Sequence, residues 1–164
     1  MHHDRRHYNR QNCQMPINYS EYCQTNYFQA TMHDKSEGGV SFTAGAGIPS
    51  GLPVCILLPT NSGNPKSTTK SQAFVARVKW RQRDSQAGAY KIGAQLIFQG
   101  HVRPIEKASE HAVVCDLCGK KLNEEVYMTD EPLNFCLNCF KYLGGVLEDN
   151  TRQSVIQLLL GNVM

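Results

Sequence analysis

The sequence predicts a small all-β barrel followed by a metal-stabilised module and a final helix. Three observations predict it. Short strand-like segments recur through the first two-thirds of the chain, with a period-two alternation clearest over residues 72–81. Two C-x-x-C pairs, Cys115/Cys118 and Cys136/Cys139, follow in the last third. The clearest helix signal comes after them, close to the C-terminus.

Each element has its own reason. Residues 14–19 and 22–32 read as strands separated at Ser20-Glu21, and 40–43 follows the Gly38-Gly39 turn. Residues 54–59 form a short apolar run ending at Pro59, which suits a buried strand. Residues 61–71 are a polar loop rich in Ser, Thr, Asn and Pro. In 72–81, Phe74, Ala76, Val78 and Trp80 alternate with Val75, Arg77 and Lys79, as in a strand buried on one side. A turn at 83–88 and a strand at 90–98 complete a hairpin. Residues 104–111 read as a linker or short helix. Asp149-Asn150-Thr151 offers an N-cap for a helix over 152–160, with Gly161 after it. Val155, Ile156, Leu159 and Val163 would line one face of it, which is expected to pack on the metal module or the barrel.

Composition narrows the function classes. The chain has 164 residues, room for one domain and a small appendage. Its longest apolar run, 54–58, is far shorter than the roughly 18–20 residues that span a bilayer. The N-terminus is polar and shows no apolar signal-peptide core, so a cytoplasmic protein is expected. The net charge of +3 is unevenly spread: residues 1–110 hold 13 Lys/Arg against 7 Asp/Glu, and 111–164 hold 4 against 7. The positive part suits an anionic ligand. The acidic part, to which four thiolates and one Zn²⁺ add further negative charge, should repel nucleic-acid phosphates, so a protein contact is favoured there. No Ser/His/Asp set, open metal site or phosphate-binding Gly loop is evident, which argues against an enzyme.

Cys115, Cys118, Cys136 and Cys139 form two knuckles that together make a tetrahedral S₄ site, the geometry zinc prefers. Gly119 directly after Cys118 lets the chain turn under the metal, and Asn138 also tolerates left-handed geometry. Four protein ligands leave no open position, so one structural zinc per chain is expected rather than a catalytic one. An iron–sulfur cluster is the alternative. Residues 125–128 read as a strand of a zinc ribbon, whereas a helix begun by 140–143 would be nearer a treble clef, and both remain open. Cys13, Cys23 and Cys55 are isolated, and an odd total without a secretion signal argues against a disulfide framework.

Two further motifs carry ligand chemistry. Arg6-His7-Tyr8-Asn9-Arg10 is R-x-x-x-R, and Asp34-Lys35-Ser36-Glu37-Gly38-Gly39 is D-x-S-x-x-G. Arginine is a planar, permanent cation whose fork matches phosphate and the O6 and N7 acceptors of guanine. Asp34 can accept from guanine N1–H and N2–H, and Ser36 can donate to phosphate or base. Gly38 and Gly39 would supply positive φ and close backbone approach.

In this order and spacing the pair resembles the signature of the PilZ family, bacterial receptors for cyclic di-GMP. The resemblance covers about residues 5–105. It extends to Ala76-Arg77-Val78-Lys79-Trp80 and to Tyr90-Lys91-Ile92-Gly93-Ala94-Gln95-Leu96, which look like the late strands of the family. Leu96 stands where an aromatic is usual, and Phe98 is expected to fill that space. The resemblance implies a six-stranded antiparallel barrel with no catalytic centre. It implies a cyclic di-GMP site of Arg5, Arg6, Arg10, Asp34, Ser36, Gly38 and Gly39. The expected organisation is a barrel over 1–105, a linker over 106–111 and a Cys₄ zinc-ribbon-like or treble-clef-like module with its helix over 112–164. The whole reads as a bacterial signalling adaptor that relays the second messenger to a protein partner through the zinc module or the C-terminal helix. A zinc-dependent nucleic-acid-binding protein and a non-binding scaffold are the alternatives.

Overall fold

The structure is a computed structural model and describes residues 9–59, 71–106 and 111–161. Six long strands come first: β1 (Gln11–Glu21), β2 (Phe28–Lys35), β3 (Gly39–Ala44), β4 (Pro53–Leu58), β5 (Ser71–Arg83) and β6 (Tyr90–Pro104). All pair antiparallel in the order β4-β1-β2-β3-β6-β5, and β5 pairs back on β4, so the sheet closes into a barrel. Closure leaves no free edge among these strands. The inward positions alternate as expected. Ile17 and Tyr19, Met32, Phe42, Ile56, Phe74, Ala76, Val78 and Ile92 form the interior.

Four short strands and two helices follow: β7 (Val113–Val114), β8 (Lys121–Leu122), β9 (Glu125–Met128), β10 (Asn134–Phe135), α1 (Leu137–Gly145) and α2 (Asp149–Leu159). β6 outruns the barrel. Its first half pairs with β3, and its last residues, His101–Pro104, pair with β9 along the same edge. Residue Pro104, at the start of the expected linker or short helix, is therefore the end of a strand.

α1 lies across the outside of β4, β5 and β6 and creates a second core there. Cys55, Ala73, Val75 and Val102 face outward from the barrel and are covered by Leu143, Phe140 and Tyr127. The helix approaches closely because it presents glycine. A Cβ on Gly144 would lie 2.7 Å from Val75 Cβ, and one on Gly145 would lie 2.4 Å from Pro53 Cβ. Its last carbonyls are satisfied by two arginines. Arg77 Nη2 donates to Gly145 O at 2.7 Å, and buried Arg152 on α2 donates to Leu143 O at 2.7 Å.

The seam also holds polar groups. Lys141 is fully buried, and its ammonium donates to Ser20 Oγ (3.2 Å), to Glu21 O (2.7 Å) and to Gln24 O at the end of β1. Desolvation holds its pKa below the ordinary lysine value. The Tyr27 hydroxyl meets that of Tyr127, which donates to Glu125 Oε1 at 2.5 Å. Burial raises both tyrosines and pushes the neighbouring Cys55 thiol up to about 12.

Several expectations need correction. The break between the first two strands is not at Ser20-Glu21. Those residues stay in β1 because they pair with Cys55 and Val54 of β4. Trp80 leaves the inward face, since a bulge after Val78 shifts the register and sets it opposite Gly93, 40% exposed. A second bulge, at Ile97 of β6 opposite Val75 and Ala76, turns Phe98 outward onto Phe140, with ring centroids 5.2 Å apart. Leu96 packs against the barrel interior, so Phe98 does not substitute for the missing aromatic. α2 begins earlier than expected, with Glu148 at the N-cap and Asp149 in the first turn, 2.9 Å from Arg152. Ile156 on α2 is buried in the second core, with Val155 and Leu159 beside it, while Val163 lies outside the described residues.

Candidate functional site

The two ligand motifs meet at one end of the barrel. β1 and β2 pair so that Asn12 lies opposite Asp34, and this register brings Arg10 Nη1 within 3.1 Å of Asp34 Oδ1. The other carboxylate oxygen accepts from Ser41 Oγ at 2.5 Å. A bulge after Met32 turns Asp34 to the outer face, where Ser41 is its partner on β3. Ser41 pairs in turn with Gly93, and Gly93 with Trp80. A Cβ on Gly93 would fall 2.2 Å from the indole, so the ring lies against the backbone. Arg10, Asp34, Ser41, Gly93 and Trp80 thus form one outer face.

The turn from β2 to β3 is closed by Ser36 N donating to Gly39 O at 2.8 Å, with Ser36 Oγ 3.4 Å from the same oxygen. Neither Gly38 nor Gly39 has positive φ, which corrects the expected role of this pair. Gly39 is needed for proximity instead. A Cβ there would lie 2.9 Å from Ala94 O on β6. Gly38 O accepts from Leu96 N at 3.1 Å, which anchors the turn to β6.

The second site is the cysteine cluster. The turn between β7 and β8 carries Cys115 and Cys118, with Gly119 at φ +74° as the knuckle requires. Cys136 is the N-cap of α1, and its Sγ accepts from Cys139 N at 3.4 Å. Asn138 therefore lies in a helix and has no left-handed conformation. Asp116 joins the two halves, accepting from Asn134 N at 2.6 Å. All four sulfurs lie within 4.8 Å of one another, and Cys118 Sγ is 4.0 Å from Cys136 Sγ. Tetrahedral zinc with Zn–S near 2.3 Å would set the sulfurs about 3.8 Å apart, so the cluster can hold such a metal. Burial raises the Cys136 and Cys139 thiols. Burial also opposes ionisation of Cys115, but the N–H groups of Cys118, Cys136 and Leu117 outweigh it and hold that thiol below its ordinary value. A divalent cation would let all four ionise together. The second pair sits on the first turn of a helix, as in a treble clef.

Comparison with known protein families matches residues 4–114 to the PilZ domain. The chain belongs to the PilZ domain family. Among solved structures it is similar to one described as the Bacillus subtilis inhibitor of motility (MotI/DgrA), at 16% identity and TM-score 0.44. That match covers 57% of this chain and 43% of the other. No curated protein matches significantly. PilZ domains as a class are receptors for cyclic di-GMP. In this PilZ barrel the structure brings Arg10 and Asp34 together and places Ser36, Gly38 and Gly39 in the adjoining turn. Arg5 and Arg6 lie outside the described residues. Sequence reasoning missed Ser41. It lies two positions beyond Gly39, between inward Val40 and Phe42, so strand alternation turns it outward, and the bulge in β2 brings Asp34 to that face. No helix among the described residues is long and apolar enough to cross a membrane.

Proposed function

We propose that the protein is a cytoplasmic cyclic di-GMP receptor that works as an adaptor without catalysis. The observation that carries this reading is the register setting Arg10 of one motif on Asp34 of the other, beside Ser41. Arg10 and Arg6 grip phosphates and guanine edges, and Arg5 adds charge. Asp34 keeps acceptor capacity beyond its two bonds, since a carboxylate has about four lone-pair sites. Ser36, Gly38 and Gly39 bring the turn against the ligand. The cluster of Cys115, Cys118, Cys136 and Cys139 holds one structural zinc, and residues 112–164 form a module, joined by 106–111 to the barrel of 1–105, that presents ligand occupancy to a protein partner. Exposed Tyr142 on α1 and Val146 at its C-cap, four residues apart, support a protein contact there.

Calorimetry with cyclic di-GMP against GTP and cyclic AMP tests the receptor reading. Cyclic di-GMP should bind. Arg10→Ala should cost about 1.5–3 kcal/mol, the loss of a charge-assisted contact, or about tenfold or more in affinity. Asp34→Ala should reduce guanine selectivity more than charge attraction. Trp80, the only tryptophan, lies on the same face, and its fluorescence should change on binding. No heat and no fluorescence change at high ligand concentration would sink the reading.

A further inference from the structure

The turn that carries the second motif has two sides. Residues Arg10 and Asp34 look outward, while their neighbours Gln11 and Lys35 line a cleft at the mouth of the barrel. The cleft has a volume of about 580 Å³ and is shared by Glu37, Phe74, Leu96 and Gln99. That volume is within the range of about 300–1,000 Å³ usual for small-molecule sites. Lys35 Nζ sits 4.4 Å from the centroid of the Phe74 ring, a cation–π contact. Neither Lys35 nor Glu37 makes an ion pair among the described residues. A cation and a carboxylate therefore face one space without neutralising each other, with Leu96 beside them and Phe74 beneath the Lys35 ammonium.

This polarity selects one kind of base. Guanine presents N1–H and N2–H₂ as adjacent donors and O6 and N7 as adjacent acceptors. Glu37 accepts the first pair, and the Lys35 ammonium donates to the second. Adenine reverses N1 and position 6 and lacks the N2 amino group, while its N7 stays an acceptor. Its N1 lone pair would meet the carboxylate, and its N6 amino group would meet the ammonium. Leu96 offers either base the same apolar contact, so selectivity falls to the two charges.

We infer that the barrel mouth holds one guanine of the cyclic dinucleotide, with Glu37 and Lys35 distinguishing it from adenine. The inference rests on the receptor reading of the outer face and adds the specificity contacts of that site. The dinucleotide would straddle the turn, with one nucleotide at Arg10 and Asp34 and the other base in the cleft.

Calorimetric titration of the full chain with cyclic di-GMP and cyclic di-AMP tests it, using wild type, Glu37→Gln, Lys35→Met and Arg10→Ala. Glu37 is exposed and the Gln replacement is isosteric, so its unfolding midpoint should stay at the wild-type value. Both mouth variants should lose tenfold or more in affinity for cyclic di-GMP, and Glu37→Gln should narrow the preference over cyclic di-AMP. Wild-type affinity in both variants, with Arg10→Ala impaired, would overturn the mouth pocket and leave the outer site standing. An equal loss for both dinucleotides would overturn the guanine assignment. No binding by the wild type would remove the receptor reading and the pocket with it.

Discussion

At the scale of single residues, Lys141 shows how a charge can be placed where sequence gives no warning. It sits among the apolar residues of α1, and position alone predicts a solvated helix face. Instead its ammonium closes the end of β1, adding a charged donor to Glu21 O, which also accepts from Gln24 N, and to Gln24 O, which also accepts from Ser20 Oγ. Lys141→Met keeps much of the volume and removes the donor. It should destabilise the fold by about 1.5–3 kcal/mol, the loss of charge-assisted hydrogen bonds to carbonyls that keep a second, neutral donor. Thermal or urea unfolding measures this, and an unchanged midpoint would show that water replaces the ammonium. Residue chemistry was legible where a motif states it, as at Asp34 and Arg10. It was not legible where a contact depends on register. Asp34 meets Ser41, and Trp80 turns outward, through bulges in β2 and β5. Gly39 owes its need to Ala94 on a strand distant in sequence. A bulge adds one residue and reverses facing beyond it, so alternation read from a run of residues fails past that point.

At the scale of elements, the strands were legible because period-two alternation and turn residues are local signals, whereas their ends were fixed by partners. β1 runs on through Ser20 because β4 pairs with it there, and β6 runs on to Pro104 because β9 does. α1 is the element on which the cysteine cluster depends. Its first turn supplies Cys136 and Cys139, its body covers the barrel, and its last carbonyls are held by Arg77 and Arg152. Metal bound at its N-terminus should therefore hold α1 as well as the knuckles. The purified protein should carry one zinc per chain by elemental analysis, and Cys136→Ser should lose the metal together with the helical signal of α1. Thiols must shed protons to bind zinc, so affinity should rise with pH and chelation should be easier in mild acid. A metal content of zero, or iron in place of zinc, would overturn the assignment.

At the scale of the whole molecule, two cores lie on opposite sides of one sheet. The interior core is made by six strands closed on themselves and draws nothing from the cysteine module. The outer core is shared, with Cys55, Ala73, Val75 and Val102 from the barrel beneath Phe140, Leu143 and Ile156. This asymmetry decides what metal removal should do. Without the cluster, residues 112–164 are too few to keep a core of their own, and α1 should leave the barrel. The outer face would then be exposed as a contiguous apolar patch. The closed sheet keeps its hydrogen bonds and its interior, and the motif residues lie on the turn and the face around Ser41, away from α1. Chelation should accordingly lower the unfolding midpoint, raise binding of a hydrophobic dye and open the C-terminal third to proteolysis, while cyclic di-GMP affinity stays within a few-fold of the loaded protein. Calorimetry on the chelated chain is the deciding measurement. Loss of ligand binding in step with loss of metal would mean that the interior core cannot stand without the outer one, and the division into barrel and module would have to be abandoned.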